Sequence, residues 1–293
     1  MKVLAILGPT GSGKSELALE IAGKVPAEIV SCDSVQIYRG FDIGADKVSA
    51  EVRRRIPHHM IDVVSDCRRF SAADYARMAA GIIKDIHRRG KLPVVVGGTL
   101  LYFRALERGL FPYGPAGREF REAWWGYPRE LLRRTVELDP EYYIKIGAND
   151  IKRMVRLMEV FYLSGRNMSE AAALTRPPLP RARFLKFAIN LPRQELYRRI
   201  ERRTEEMFKR GLVEEVRKLL GSGYPPHCPP FEAIGYREAL AFVRGEIDLE
   251  EAMKLVKKHT KEYARRQIMW LRKEENLVWI RPGEVHRILK EVS

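Results

Sequence analysis

The stretch that most constrains this chain lies at its start. Residues 2–7 (K-V-L-A-I-L) are a short apolar run, and Gly8-Pro9-Thr10-Gly11-Ser12-Gly13-Lys14-Ser15 follows. An amphipathic pattern through Glu16, Leu17, Leu19 and Ile21 comes next, so the order is strand, glycine-rich loop, helix. The loop matches G-x-x-x-x-G-K-[ST] in full. Its glycines let backbone N–H groups converge on phosphate oxygens, Lys14 brings a point charge, and Ser15 brings a hydroxyl for Mg²⁺. The helix behind it points its positive end at the same anion. With Gly at ~7% of residues, a chance match has a probability on the order of one in a hundred.

Downstream, residues 28–31 read as a second buried strand and 60–64 as a third. Residues 71–89 are predicted as a helix with Ser71 as N-cap, Asp74 at N3 and Gly90 as the stop. Residues 93–96 form another apolar run, ended by Gly97-Gly98. Strands alternating with helices favour a parallel sheet covered on both faces. The pattern changes after Leu110. Residues 111–117 (F-P-Y-G-P-A-G) and 176–180 (R-P-P-L-P) are turn-rich linkers, and everything between reads helical, including 150–163. Residues 114–176 are therefore expected to be a helical insertion in a core of 1–113 and 177–293. That core resumes with a strand at 184–189, long basic helices over 193–220 and 248–273, and a last strand at 277–280. A chain of 293 residues accommodates one large α/β core with an inserted unit.

Lys plus Arg total 53 against 38 acidic residues, a net charge of +15. Such an excess suggests a polyanionic partner, because each neutralised phosphate releases counterions. Lys254, Lys258, Lys261, Arg265 and Arg272 recur at helical spacing as one stripe, and Arg198, Arg199, Arg202 and Arg203 cluster in the preceding helix. One such stripe is usually a solvated face; several of one sign point to a nucleic-acid backbone. Cys32, Cys67 and Cys228 are far apart in sequence with no C-x-x-C pair, which argues against a zinc site and a disulfide framework. No apolar run approaches the ~18 residues that span a bilayer, and the start lacks signal-peptide architecture. A cytoplasmic monomer without membrane contact is the expectation.

Ligands of a parallel sheet bind where the strands end. After the second strand come Asp33-Ser34-Val35-Gln36. A carboxylate is ionised at neutral pH and can accept a proton, and Ser34 and Gln36 can read a base edge. Asp33 can equally cap a turn. Thr99, after strand 93–96, is a candidate N-cap that could also reach a phosphate or bridging oxygen. No Asp ends that strand, and Ile61-Asp62 is a weak substitute, which counts against ATP hydrolysis. His58-His59 lack a partner at ligand spacing and are expected to be structural.

Taken in order, G-P-T-G-S-G-K-S (8–15), S-C-D-S-V-Q-I-Y-R-G-F-D-I-G (31–44), P-H-H-M-I-D-V (57–63), P-V-V-V-G-G-T-L-L-Y (93–102), A-N-D-I-K-R-M-V-R-L-M-E-V (148–160), E-A-I-G-Y-R-E (232–238) and Y-A-R-R-Q-I-M-W-L-R (263–272) resemble the tRNA dimethylallyltransferase family. The resemblance implies an α/β fold: a P-loop NTPase-like parallel sheet with helices on both faces, plus the all-helical insertion. It implies transfer of a dimethylallyl group from dimethylallyl diphosphate to the 6-amino group of adenine 37 in the anticodon stem-loop of tRNA. By the same resemblance Asp33 is the general base, and Thr99 stands between the allylic carbon and the diphosphate. Gly8, Pro9, Thr10, Gly11, Ser12, Gly13, Lys14 and Ser15 hold the diphosphate, or a nucleotide, with Mg²⁺ on Ser15. Arg203 is the diphosphate-binding arginine, with Arg199 a second candidate. Asp33, Ser34, Val35, Gln36, Arg121, Lys152, Arg153, Met154, Val155, Arg156, Gly235, Tyr236 and Arg237 fall where the family touches tRNA. Cys32, Leu100, Gly147-Ala148 and Glu232 depart from the family's common residues. A kinase, a prenyltransferase acting on free adenine nucleotides and a non-catalytic RNA-binding protein are the competing readings; the kinase explains the loop alone.

Overall fold

The structure, a computed structural model, describes every residue except Pro112, Pro115 and Ser293. The linker read at 111–117 contains the first two, which lie outside the described residues. Two compact units emerge, residues 1–107 with 181–293, and residues 108–180. The second is wider than the 114–176 insertion read from the linkers.

In the first unit β1 (Lys2–Leu7), α1 (Lys14–Ala22), β2 (Ala27–Cys32), α2 (Ala50–Arg55), β3 (His58–His59), α3 (Ala72–Arg88), β4 (Leu92–Gly97) and α4 (Leu100–Arg108) follow one another. After the second unit's α5 (Arg118–Trp125), α6 (Pro128–Leu138), α7 (Pro140–Ile146), α8 (Ile151–Ser164) and α9 (Met168–Ala173), the chain returns. It then forms β5 (Arg183–Ile189), α10 (Arg193–Lys209), α11 (Leu212–Gly221), α12 (Tyr236–Val243), α13 (Leu249–Leu271), β6 (Leu277–Ile280) and α14 (Val285–Val292).

The six strands form one sheet in the order β3-β2-β4-β1-β5-β6, with every neighbouring pair parallel. β2 is buried throughout and β1 along all but its first residue, as expected of strands covered on both faces. On one face Leu4, Ile6, Ile29, Val94 and Phe187 pack with Leu17 and Ile21 of α1 and Ile288 of α14. On the other, Phe184 meets Phe103 of α4 edge-on. The capping box at Ser71 and Asp74 forms as its sequence signature requires.

Three expectations need correction. The third strand is His58–His59, not 60–64. Met60 and Asp62 adopt left-handed backbone, with φ of 61° and 58°, which ends the extended run, and Val64 returns only as an isolated bridge to Tyr38. His59 secures this short edge strand through Glu28, a buried carboxylate that its ring nitrogen approaches to 2.8 Å. Burial pushes Glu28 up, but hydrogen bonds from Arg89, Lys91 and His59 outweigh it and hold the group at about 2. The helical stretch 193–220 is two helices, broken at Gly211, whose φ is 98°. Finally, Cys67 and Cys228 are joined in a disulfide although 161 residues apart. Sequence distance hid the pairing, because the fold brings the loops after β3 and α11 together.

The second unit packs Leu131, Met154, Val155, Leu157, Met158 and Val160 into its own core. Within it Glu159, fully buried, takes hydrogen bonds from Arg121 at 2.6 Å, Arg156 at 2.9 Å and the Ala116 amide at 3.2 Å.

The disulfide closes a long loop, so on chain entropy it contributes about 4–5 kcal/mol. Thermal melts of the oxidised chain, the reduced chain and Cys228→Ser test this. The oxidised chain should melt several degrees above the other two, and three coincident midpoints would show that the cross-link contributes nothing.

Candidate active site

The register of the sheet assembles the site. Leu7 pairs with Gly97, and Gly97 with Cys32, so three strands end on one row. The glycine-rich loop leaves the first, Thr99 follows the second and Asp33 the third.

The loop enters α1 through Gly13, whose left-handed φ of 91° disfavours any side chain. Lys14 curls back, and its ammonium donates to the Pro9 carbonyl at 2.7 Å. Burial, and then the charge of Arg203, push Lys14 down to about 8. The Ser12 hydroxyl is buried and has no hydrogen-bond partner among the described residues. An orphaned polar group there fits a loop shaped around a bound anion. Ser15 is exposed at the first turn of α1.

Asp33 caps a turn, as one of the roles weighed for it required, and it lies in the cleft. Its Oδ1 accepts from the amides of Val35 at 2.8 Å and Gln36 at 3.2 Å, an Asx turn, and the residue lines the cleft beside Lys14. The Thr99 hydroxyl accepts from the Ser34 amide at 3.2 Å, so it ties two strand ends together. Tyr263 of α13 lines the same cavity as Thr99; burial, and then the Asp33 charge, push this phenol up to about 12, so it stays protonated at neutral pH. Gln36 is less available than expected. Its Oε1 accepts from Ser31 Oγ at 2.8 Å and its Nε2 donates to the Ala45 carbonyl at 3.1 Å, leaving it to shape the loop.

Arg203 donates to Thr10 Oγ1 and lies 2.9 Å from the Asp46 carboxylate. Arg199 lines the same cleft but pairs with Glu195 at 2.6 Å. The two cavities here share Thr10, Asp33, Ala45, Arg203 and Tyr263. One, of about 460 Å³, contains the glycine-rich loop, Arg199 and Arg202. The other, of about 280 Å³, is walled by Val35, Ile200, Met207, Ile234 and Val256. A chamber lined by the glycine-rich loop and arginines thus adjoins one of mixed apolar and polar lining, with Asp33 and Thr10 at the junction.

Several residues named for tRNA contact are placed otherwise. Tyr236 is fully buried and donates its hydroxyl to Glu215 at 2.5 Å. Gly235 is buried as the N-cap of α12, and Met154 and Val155 are core residues of the second unit. Helical periodicity puts two of every few residues in such a run inward, so a contiguous run cannot all face a ligand. Lys152, Arg153, Arg237 and Arg121 are exposed; Arg153 pairs with Asp150, Arg237 with Glu238, and Arg121 and the half-buried Arg156 with Glu159. Sequence reading quoted Tyr263 and Gln267 within the 263–272 motif but named neither as a site residue, and it missed Asp46. The clue for Gln267 and Asp46 was polar residues on a helix or loop facing a strand end.

Residues 36–274 match the IPP transferase family, and residues 1–65 match the isopentenyl transferase family. The tRNA dimethylallyltransferase of Solibacter usitatus is 46% identical over 96% of this chain and 93% of its own. That of Geobacter metallireducens is 44% identical over 99% and 96%. Among solved structures, the tRNA isopentenylpyrophosphate transferase of Bacillus halodurans superposes with a TM-score of 0.74 at 31% identity, covering 99% of this chain and 95% of that one. A eukaryotic dimethylallyltransferase acting on tRNA superposes with a TM-score of 0.80 at 27% identity over 96% and 73%. With the P-loop NTPase-like sheet, the anion loop and Asp33 already in one cleft, these likenesses place the chain in the tRNA dimethylallyltransferase family.

Proposed function

We propose that this chain transfers a dimethylallyl group from dimethylallyl diphosphate to the 6-amino group of adenine 37 in the anticodon stem-loop of tRNA. The observation that carries the reading is the shared cleft, in which Asp33 and the glycine-rich loop meet at the junction of a charged chamber and a partly apolar one.

An adenine amino group is a poor nucleophile because its lone pair is delocalised into the ring. As its nitrogen bonds to C1 of the donor, the C1–O bond breaks and the electron pair leaves with diphosphate. The amino proton passes to Asp33, a base of the kind that contributes ~10²–10⁴-fold. Negative charge growing on the leaving group is met by Lys14, Arg203 and the loop amides. The Thr99 hydroxyl, already fixed by the Ser34 amide, has its proton left to meet the bridging oxygen. The apolar walls at Val35, Ile200 and Val256 suit the prenyl tail and exclude water from an allylic centre with cationic character. The target adenine must leave its stack to enter.

Mg²⁺ fits this donor set. The Ser15 hydroxyl, with the diphosphate's own oxygens, supplies the hard oxygen ligands the ion prefers, and the unpartnered Ser12 hydroxyl marks room for such an assembly. When bound, the ion would neutralise part of the diphosphate charge.

Asp33→Asn keeps the acceptor for the Val35 and Gln36 amides and removes the base. It should lower kcat ~10²–10⁴-fold while tRNA affinity changes little; normal turnover in nucleoside analysis with labelled donor would remove Asp33 from this role.

The pH dependence follows from Lys14. Its charge is present below about 8 and lost above, so donor affinity should be full below that point and fall as pH rises through it. The loss is up to ~tenfold per pH unit. The alkyl diphosphate completes its own ionisation near pH ~6 and contributes no slope there. Lys14→Met should bind weakly and flatly across the same range; a wild-type profile that is flat to pH 10 contradicts the assignment.

On α13, Lys254 and Lys261 already pair with Glu251 and Glu201, which leaves exposed Lys258 and Arg265 to meet phosphates. Replacing both with Ala should reduce the slope of log affinity for tRNA against log salt by up to ~2. An unchanged slope identifies the stripe as a solvated face.

A further inference from the structure

Gln267 takes no part in the chemistry set out above, yet it is only 5% exposed and lies in the wall of the charged chamber. Its Oε1 accepts from the Thr10 amide at 2.9 Å, and its Nε2 donates to the Gly98 carbonyl at 2.9 Å. The orientation of the side-chain amide is forced, since a peptide N–H needs the oxygen and a peptide carbonyl needs the nitrogen. One planar group therefore joins the loop after β1 to the loop after β4. A carboxylate would lack the donor and a thioether would lack both.

Both ends of this bridge lead to reacting groups. Thr10 receives Arg203 on its hydroxyl, and Gly98 is followed by Thr99, whose hydroxyl holds the Ser34 amide next to Asp33. Gly98 is built for the contact: a Cβ there would lie 2.2 Å from Gln267 Nε2. Four residues earlier on α13, Tyr263 lines the cavity that Thr99 also lines, so a single helix face looks onto both strand ends.

We infer that Gln267 is a positioning residue for the transfer, fixing the distance between the diphosphate loop and Thr99 so that the allylic carbon lies in line between leaving group and acceptor. This inference rests on the dimethylallyl-transfer reading. It explains the side chain's identity by hydrogen-bond polarity and not by packing.

The test uses Gln267→Met, which keeps the volume and loses both hydrogen bonds, Gly98→Ala, which displaces the amide, and the double variant. Each single change should lower kcat ~10–100-fold, the scale of a small misplacement in group transfer, with KM for tRNA within twofold of wild type. Affinity for inorganic diphosphate with Mg²⁺, by calorimetry, should weaken ~3–10-fold for Gln267→Met, as for one lost hydrogen bond. Because both changes break one bridge, the double variant should be no worse than the poorer single one. Full kcat in Gln267→Met, or losses that multiply, overturns the inference. So does a lowered thermal midpoint whose activity loss vanishes on assay at lower temperature. If wild-type protein prenylates no tRNA, the reaction itself is misread; the calorimetric arm then decides, and unchanged diphosphate affinity in Gln267→Met rejects the bridge as well.

Discussion

The structure depends on one row of the sheet. Parallel pairing of Leu7 with Gly97 and of Gly97 with Cys32 makes three strands stop together. A slip of one residue in either pair would exchange inward and outward side chains along that strand. It would also move Asp33 or Thr99 by a full residue length relative to the glycine-rich loop. Close packing on both faces of β2 and β4 resists such slips, because each side chain would enter a space shaped for another. The precision of the cleft is thus inherited from core packing.

Charge in the cleft is balanced before any ligand arrives. Arg203 rests against Asp46, Arg199 against Glu195, and Lys14 against the Pro9 carbonyl. These are weak, partly solvated partners compared with a diphosphate, whose several oxygens can satisfy the same donors at once. Burial has already depressed Lys14, so the loop holds its cation in a setting where an anion is worth more than it would be in water. The resting pairs keep the basic groups oriented, and on the proposed reading they would release them to the stronger acceptor.

Much of this was legible in the residues. The strand-loop-helix start, the capped helix at Ser71, the last strand at Leu277–Ile280 and the helical character of the insertion were written in local periodicity and capping signals. What escaped was long-range. The Cys67–Cys228 link, the left-handed turns at Met60 and Asp62, and the capture of Arg121 by Glu159 depend on which segments meet in space. Motif similarity named the runs at 152–156 and 235–237 but could not sort their members by face, so Tyr236, Met154 and Val155 were assigned to a ligand while they belong to cores. Gln36 was correctly placed at the cleft and misjudged in its hydrogen bonding, since its partners come from its own loop.

α13 shows how a strongly charged helix can still form a wall of the cleft. Its inward stripe, Val256, Thr260, Tyr263 and Gln267, lines the two chambers, while Lys258 and Arg265 stand on its exposed side. Ala252, Ala264 and Leu271 fix its rotation by packing, so the two faces cannot be adjusted independently. A polyanion seated on the outer face would therefore rest on the same rigid rod that sets Thr10 against Gly98. The residue that binds and the residue that aligns need not touch for their placement to be one structural problem, solved by a single helix.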